Sequence, residues 1–206
     1  KLNCSVTPYN KDDLKEMMDF ADEHDLVIQA TAYMFPPLRK DETKIGQNDR
    51  FTAEDAALYA SYISAYSNGF DRFKEYIESG QLAIYDADDD CGVVEGDHMR
   101  CRAGITSFWM TWEGKMLPCG MIPNGGLDPW EVGFDEAWEN TKKIVSEIKL
   151  PVKCAGCGKK DECKACAAMV YTETGTYDKV PQYRCDMTKY YPEACKKVLK
   201  ELEQQL

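Results

Sequence analysis

Two short apolar runs with an amphipathic stretch between them open the chain. Residues 2–6 and 26–33 are typical of strands. Between the runs, four apolar residues recur at helical spacing: Leu14, Met17, Met18 and Ala21. Asn10 is a candidate N-cap for this helix, and prolines at 36 and 37 end the second run. The strand, helix, strand order predicts part of a parallel α/β layer.

Helical patterns recur further along the chain. Thr52 and Asp55 have the spacing of a capping box and precede an apolar face, which predicts a helix. Another helix is expected over residues 68–80, with Gly80 just past its end. The pattern predicts a further helix over 134–148, and Pro192 suits the first turn of a last helix that runs to the C-terminus.

A β-hairpin is predicted between these helices. Residues 107–112 and 115–117 are rich in apolar side chains and flank the turn pair Glu113–Gly114. An acidic, turn-like stretch at 86–90 precedes nine of the ten cysteines, and we place a domain boundary there. The expected parts are residues 1–85, a cysteine-rich domain over 86–190, and a C-terminal helix over 191–206.

Charge and hydropathy exclude several classes of partner. The formal net charge of -11 argues against nucleic acid, because binding phosphates requires a basic surface. No apolar run approaches the roughly 18 residues of a membrane span, so we expect no membrane partner and a cytoplasmic location. The chain starts with Lys1, inside a predicted strand and without an initiator Met or a signal peptide, and we expect it to be a fragment of a longer protein.

Four cysteines form a compact motif of two CxxC pairs with five residues between them: Cys154, Cys157, Cys163 and Cys166. Disulfides within this segment would close small, strained rings, so the spacing favours a metal site. Four thiolates also satisfy tetrahedral zinc, but zinc ribbons usually place their CxxC pairs farther apart. Iron–sulfur is therefore favoured, and zinc stays the alternative.

The remaining cysteines extend the motif. Two cysteines, Cys101 and Cys119, precede the CxxC pairs, and Cys185 follows them. Gly114 lies between the first two, with twelve residues between Cys101 and Gly114 and four between Gly114 and Cys119. This order resembles the SPASM domain of radical S-adenosylmethionine (radical SAM) enzymes over about half of the chain. The chain has two residues between Cys163 and Cys166, where that family normally has three.

The resemblance implies two auxiliary [4Fe–4S] clusters. One would use Cys154, Cys157, Cys163 and Cys185. The other would use Cys101, Cys119 and Cys166, with Cys91 as its fourth ligand. On spacing alone, Cys91 also fits a free loop thiol. Cys4 and Cys195 lie outside the motif and are expected to be structural, and neither His24 nor His98 has the spacing of a metal ligand.

The first 37 residues are similar to late βα units of the radical SAM partial barrel. The implied fold class is therefore α/β: part of a TIM-like barrel, followed by a small α+β SPASM domain with a β-hairpin and cysteine-rich loops. In such barrels the active site lies at the C-terminal ends of the strands, which places Thr7, Asn10 and Tyr33 near it.

The family resemblance also implies a function. We expect part of an oxidoreductase or maturase that acts on a peptide or protein side chain, with clusters that transfer electrons and an electron donor or acceptor protein as a further partner. The CxxxCxxC motif of the family's third cluster is absent here, so S-adenosylmethionine and that cluster belong to the parent enzyme, and the chain alone should be inactive. The alternative is a non-catalytic iron–sulfur or zinc module for structure or partner recognition, with Phe108, Trp109 and Trp112 as a contact surface.

Overall fold

The computed structural model describes residues 1–37, 43, 45–46, 49–80, 101–122, 124–163 and 165–205. These residues fall into two compact units. Unit 1 comprises the described residues of Lys1–Met34, Asp49–Tyr85 and Tyr183–Leu206, and unit 2 those of Phe35–Asn48 and Asp86–Gln182. No helix in the described ranges is both long and apolar enough to cross a membrane.

Unit 1 opens with a parallel pair of strands, as the sequence predicts. β1 (Leu2–Ser5) pairs in register with β2 (Ile28–Thr31), and both are shorter than the predicted runs. A 3₁₀ turn (Lys11–Asp13) and helix α1 (Leu14–Glu23) connect them. Leu14, Met18 and Ala21 form the buried face of α1, as their helical spacing predicts.

The rest of unit 1 is helical. Helix α2 (Ala53–Asn68) starts at Thr52, whose side chain accepts a hydrogen bond from the Asp55 N–H, as the N-cap of the predicted capping box should. The Thr52 hydroxyl in turn donates to the Asp55 carboxylate at 2.8 Å. Gly69 separates α2 from α3 (Phe70–Glu78), within the predicted 68–80. Both helices contribute to an apolar core with the last helix of the chain, and its buried members are Ala65, Phe73, Cys195 and Val198.

The last helix begins ten residues earlier than predicted. Helix α9 spans Gln182–Glu203 and contains Pro192 in its interior, so the prediction that Pro192 opens the helix is wrong. Proline has no N–H to donate to the carbonyl of Thr188 four residues before it. Burial of Met187, Thr188 and Ala194 on either side of the proline keeps the helix continuous despite this loss.

Unit 2 contains the predicted hairpin and helix. β3 (Trp109–Met110) pairs with β4 (Met116–Leu117) in antiparallel fashion, and Gly114 in the turn has a φ of 83°. The short helix α4 (Pro129–Val132) leads into α5 (Phe134–Glu147), which confirms the helix predicted over 134–148. Three further helices follow: α6 (Val152–Ala155), α7 (Lys160–Cys163) and α8 (Ala167–Thr174).

The predicted barrel and SPASM domains, with boundaries at 85 and 190, stay predictions. The stretch from 81 to 100, which includes Cys91, His98 and the proposed domain boundary, lies outside the described residues. A parallel strand–helix–strand unit and a short antiparallel hairpin are the two β-sheet features among the residues that are described.

Candidate metal centre

Three cysteines that lie far apart in the sequence share one apolar core in unit 2. Cys101 precedes the hairpin, Cys119 follows β4 by two residues, and Cys166 is the N-cap of α8. All three pack against one cluster of buried side chains, which consists of Ala103, Ile122, Val145, Ile148, Ala167 and Ala168. The hairpin and two helices thus bring together cysteines separated by up to 65 positions.

Each sulfur of this trio accepts a hydrogen bond from a nearby backbone N–H group. The Ala103 N–H donates to Cys101 Sγ at 3.4 Å, and the Met121 N–H donates to Cys119 Sγ at 3.4 Å. The Met169 N–H donates to Cys166 Sγ at 3.5 Å, where the first turn of α8 begins. Such donors stabilise a thiolate, which is the form of cysteine that binds metals.

Electrostatics link the three side chains. Burial raises the pKa of the Cys166 thiol, the N–H groups of Met169 and Ala168 oppose that shift, and the nearby thiols of Cys119 and Cys101 raise the pKa further. Two thiolates beside a third, in a half-buried apolar setting, repel one another unless a cation lies among them. Thiolate sulfurs are the type of ligand that binds iron and zinc.

The trio shares a core, but the described side chains are not arranged around a metal ion. Among the described residues, no group of three or more Cys, His, Asp or Glu side chains is drawn together around a single ion. Tetrahedral zinc with Zn–S bonds of about 2.3 Å holds its sulfurs about 3.8 Å apart. In a [4Fe–4S] cluster each thiolate binds a different iron, so the sulfurs lie farther from one another.

A tyrosine that carries no motif signal borders the trio. Tyr177 packs against the same apolar core. Burial raises the pKa of its phenol to about 12, and the neighbouring Tyr171 and Cys119 add to the shift. Tyr177 therefore stays neutral near Cys119 at physiological pH. It lies between Cys166 and Cys185 in the sequence, outside any spaced pattern, so the sequence offered no signal for it.

Three of the other predicted ligands lie on one short segment of unit 2. Cys154 is in α6, Cys163 ends α7, and Cys157 lies between the two helices. The Cys157 N–H donates to the Cys154 carbonyl at 3.2 Å, which keeps this pair in one turn. Cys157 is exposed, whereas Cys154 and Cys163 are half-buried. The fourth predicted ligand of this set, Cys185, lies in unit 1, in the first turn of α9.

The two cysteines predicted to be structural lie away from these sets. Cys195 is buried in the core of unit 1, and its Sγ lies 3.4 Å from Ser61 Oγ. Burial raises the pKa of the Cys195 thiol, with hydrogen bonds to Ser61 and Tyr191 opposing the shift. Cys4 Sγ lies 3.6 Å from Met17 Sδ, and burial raises its thiol pKa as well. None of the nine described cysteines forms a disulfide.

The residues expected near a barrel active site occupy the strand ends. Thr7 and Asn10 follow β1, and Tyr33 follows β2 by two residues. Asn10 Oδ1 accepts hydrogen bonds from the Thr7 N–H at 2.7 Å and the Thr7 hydroxyl at 2.9 Å, and its Nδ2 donates to the Ser5 carbonyl at 3.1 Å. The Asn10 amide thus holds the turn after β1, and a role in ligand binding stays a prediction.

Tyr33 belongs to an aromatic cluster that sequence reasoning missed, and its ring centre lies 6.0 Å from that of Tyr183. The Arg50 guanidinium carbon lies 3.6 Å from the centre of the Tyr183 ring, and Arg50 Nη1 donates to the Met34 carbonyl at 2.9 Å. The Tyr183 hydroxyl donates to the Phe51 carbonyl at 3.0 Å. These contacts hold the start of α9 against the loop before α2. Tyr183 lies more than 130 positions from Arg50 and from Phe51, so no local pattern could reveal the cluster.

Comparison with known proteins gives one partial similarity. The chain is 34% identical over 80 residues to the AdoMet-dependent heme synthase of Methanosarcina barkeri (strain Fusaro / DSM 804). The aligned region is 37% of this chain and 23% of that protein, so the chain spans less than a quarter of its relative. No family model and no solved structure matches the chain. The similarity supports a relation to the radical SAM family.

Proposed function

We propose that the chain is the auxiliary iron–sulfur portion of a radical SAM oxidoreductase or maturase that acts on a peptide or protein side chain. The observation that carries this proposal is the trio Cys101, Cys119 and Cys166, which share one apolar core and each accept a backbone N–H···S bond. The partial similarity to an AdoMet-dependent protein supports the radical SAM part of the proposal.

The proposed ligands fall into two sets. The trio and Cys91 form the first set, and Cys154, Cys157, Cys163 and Cys185 form the second. Each set would hold a [4Fe–4S] cluster, a group that supplies one-electron transfer when bound. With four cysteines in each set, every iron has a protein ligand, and neither site offers an open iron to a substrate. S-adenosylmethionine and a third cluster belong to the parent enzyme in this proposal.

The surroundings of the first set are suited to electron transfer. The apolar core under Cys101, Cys119 and Cys166 limits access of water, while the N–H donors stabilise negative charge on sulfur. Burial and hydrogen bonds to sulfur are two of the factors that set the reduction potential of an iron–sulfur centre. Since the second segment contains the exposed Cys157, the two sites should differ in potential. Two sites of different reduction potential could pass electrons to or from a partner, so an electron donor or acceptor protein is the partner we propose.

Two other functions each have a supporting observation. Heme synthesis is the activity in the name of the Methanosarcina barkeri protein, so it is a second candidate for the parent enzyme. A non-catalytic iron–sulfur or zinc module for partner recognition is favoured by the strong exposure of Trp112 and Trp130. A zinc module would be colourless, whereas iron–sulfur clusters absorb visible light and bleach on reduction.

Matched cysteine variants test the ligand assignment. Iron and sulfide would be measured after anaerobic reconstitution of the wild-type chain, Cys166→Ala and Cys195→Ala, with EPR spectra of the reduced proteins. If the assignment is right, Cys166→Ala loses the signal of one cluster and about half of the iron, whereas Cys195→Ala matches the wild-type chain. Cys195 is the control because it is buried in the other unit. Full iron content and an unchanged spectrum in Cys166→Ala would remove Cys166 from the ligand set.

A further inference from the structure

Three of the four tryptophans are each followed directly by a glutamate: Trp112–Glu113, Trp130–Glu131 and Trp138–Glu139. All three pairs lie in unit 2. An aromatic face beside a carboxylate attracts a lysine or arginine side chain in two ways, by cation–π attraction and by ion pairing. The three pairs, here called Trp–Glu elements, lie within 28 residues of the sequence.

One of these elements already holds a cation from the chain itself. Lys142 Nζ lies 5.5 Å from the centre of the Trp138 ring and 2.6 Å from Glu139 Oε1. The lysine therefore contacts both the aromatic face and the carboxylate of the pair. This contact shows that a Trp–Glu pair in this unit accommodates an ammonium group.

The other two elements are open to solvent and lie near each other. Trp112 is 91% exposed and Trp130 is 79% exposed. A methyl group built on Gly114, in the hairpin turn, would lie 3.2 Å from Asp128 Oδ2, so the turn sits against the start of α4. Glu131 already forms an exposed ion pair with Lys115, whose Nζ lies 3.9 Å from Glu131 Oε2. Such an exposed pair contributes little free energy, so an incoming cation can displace it.

The negative charge around these pairs favours a positively charged partner. Between residues 108 and 142 there are six carboxylates and two lysines. Tryptophan is enriched at protein interfaces, and neighbouring exposed apolar side chains rimmed by polar residues mark interaction surfaces. A second copy of the chain would bring the same acidic face and a net charge of -11, so like charges oppose a symmetric dimer here. Acidic proteins and nucleic acids are disfavoured for the same reason.

We propose that Trp112, Glu113, Trp130 and Glu131 form a docking surface, here called the Trp–Glu surface, for a basic peptide segment of a partner protein. One lysine or arginine side chain lies on each tryptophan, with its charge against the adjacent glutamate, as Lys142 lies on Trp138 and Glu139. The surface needs no metal for this contact, so the proposal is independent of the iron–sulfur assignment.

Fluorescence anisotropy of labelled peptides tests the proposal on the purified 206-residue chain. The probes are a ten-residue Arg–Gly repeat and a Glu–Gly repeat of equal length, titrated at low and at physiological salt. We expect saturable binding of the arginine peptide that weakens with salt, and no binding of the glutamate peptide. Failure of the arginine peptide to bind at low salt, or equal binding of both peptides, would overturn the proposal.

Matched variants locate the binding site. Glu113→Gln with Glu131→Gln should weaken binding of the arginine peptide about tenfold, since each site loses an ion pair while the ring remains. Glu147→Gln with Glu193→Gln makes the same change in net charge at two exposed carboxylates elsewhere, and binding should change less than about twofold. Equal losses in the two double variants would show that only net charge matters and would refute the site.

A second pair of substitutions tests whether the tryptophans contribute to binding. It also tests whether a second copy of the chain, and not a peptide, occupies the surface. Trp112→Ala with Trp130→Ala should weaken binding at least as much as the glutamate substitutions. The helix content seen in far-UV circular dichroism should stay unchanged, because both side chains are exposed. Sedimentation of the wild-type chain should show a monomer. A wild-type dimer that the tryptophan substitutions dissociate would assign the surface to a second copy and overturn the peptide proposal.

Discussion

Truncation of Ile122 tests whether the core beneath the cysteine trio determines the stability of unit 2. The Ile122 side chain is 1% exposed and lies within the apolar cluster, and its N–H donates to the Cys119 carbonyl at 3.0 Å. Ile122→Ala removes three buried carbons and leaves a cavity, which costs about 2–5 kcal/mol. Ile122→Val removes one carbon and should cost about 0.5–1.5 kcal/mol.

Ile105 is the matched control in the same unit. Its side chain is 48% exposed, so folding gains only about half of the free energy of transferring an isoleucine side chain out of water. Ile105→Ala should therefore cost only about 1 kcal/mol. For a chain of this size, 1 kcal/mol shifts the melting temperature by about 2–4 °C.

The assay is thermal unfolding followed by circular dichroism, with urea unfolding as a check on the free energies. The reasoning predicts a graded loss, smallest for Ile105→Ala and Ile122→Val and largest for Ile122→Ala. In the reconstituted protein, Ile122→Ala should also release iron faster, because the backbone of Cys119 loses its packed support. Equal melting temperatures for Ile122→Ala and Ile105→Ala would refute the claim that this core stabilises the unit.

Three further predictions address other parts of the chain. Thr52→Ala should lower the free energy of unfolding of unit 1 by about 0.5–2 kcal/mol in urea titrations, because the Asp55 N–H loses its cap, and an unchanged value would contradict the capping role. In the metal-free chain, mass spectrometry after brief maleimide treatment at pH 8 should find Cys157 modified before Cys195, since Cys157 is exposed whereas burial raises the pKa of the Cys195 thiol. The reverse order would show that the described exposures are wrong. The chain alone should not cleave S-adenosylmethionine under reducing conditions, because its only cysteine before residue 91 is Cys4, and chromatographic detection of cleavage products would contradict this.

Local chemistry predicted several elements correctly. Each of the correct predictions depends on residues within a few positions of one another: the N-cap at Thr52, the turn glycine at Gly114 and the apolar spacing of α5. The parallel pairing of β1 and β2 also followed, because a helix between two strands forms a crossover connection. These features need no knowledge of the rest of the chain.

Long-range packing accounts for what the sequence did not reveal. Pro192 has the local preference of a first-turn residue, yet α9 begins at Gln182 and buries side chains on both sides of the proline. The stacking of Arg50 on Tyr183 joins residues more than 130 positions apart. Periodicity and turn chemistry carry no information on either contact.

The cysteine assignments also divide into those that local spacing supports and those that depend on long-range packing. The spacing from Cys154 to Cys166 was enough to favour a metal site by itself. The grouping of Cys166 with Cys101 and Cys119 instead came from the family resemblance, since no spacing rule relates residues on a hairpin to the N-cap of a distant helix. The structure places these three side chains on one core, while the pairing of Cys185 with the 154–163 segment stays a prediction.

The iron, sulfide and zinc content of the anaerobically prepared and reconstituted chain tests the central claim most directly, together with its visible spectrum. Two four-cysteine sites predict about eight irons and eight sulfides per chain, with a brown colour that bleaches on reduction. Stoichiometric zinc without sulfide, in a colourless protein, would contradict the iron–sulfur account and favour a structural zinc module.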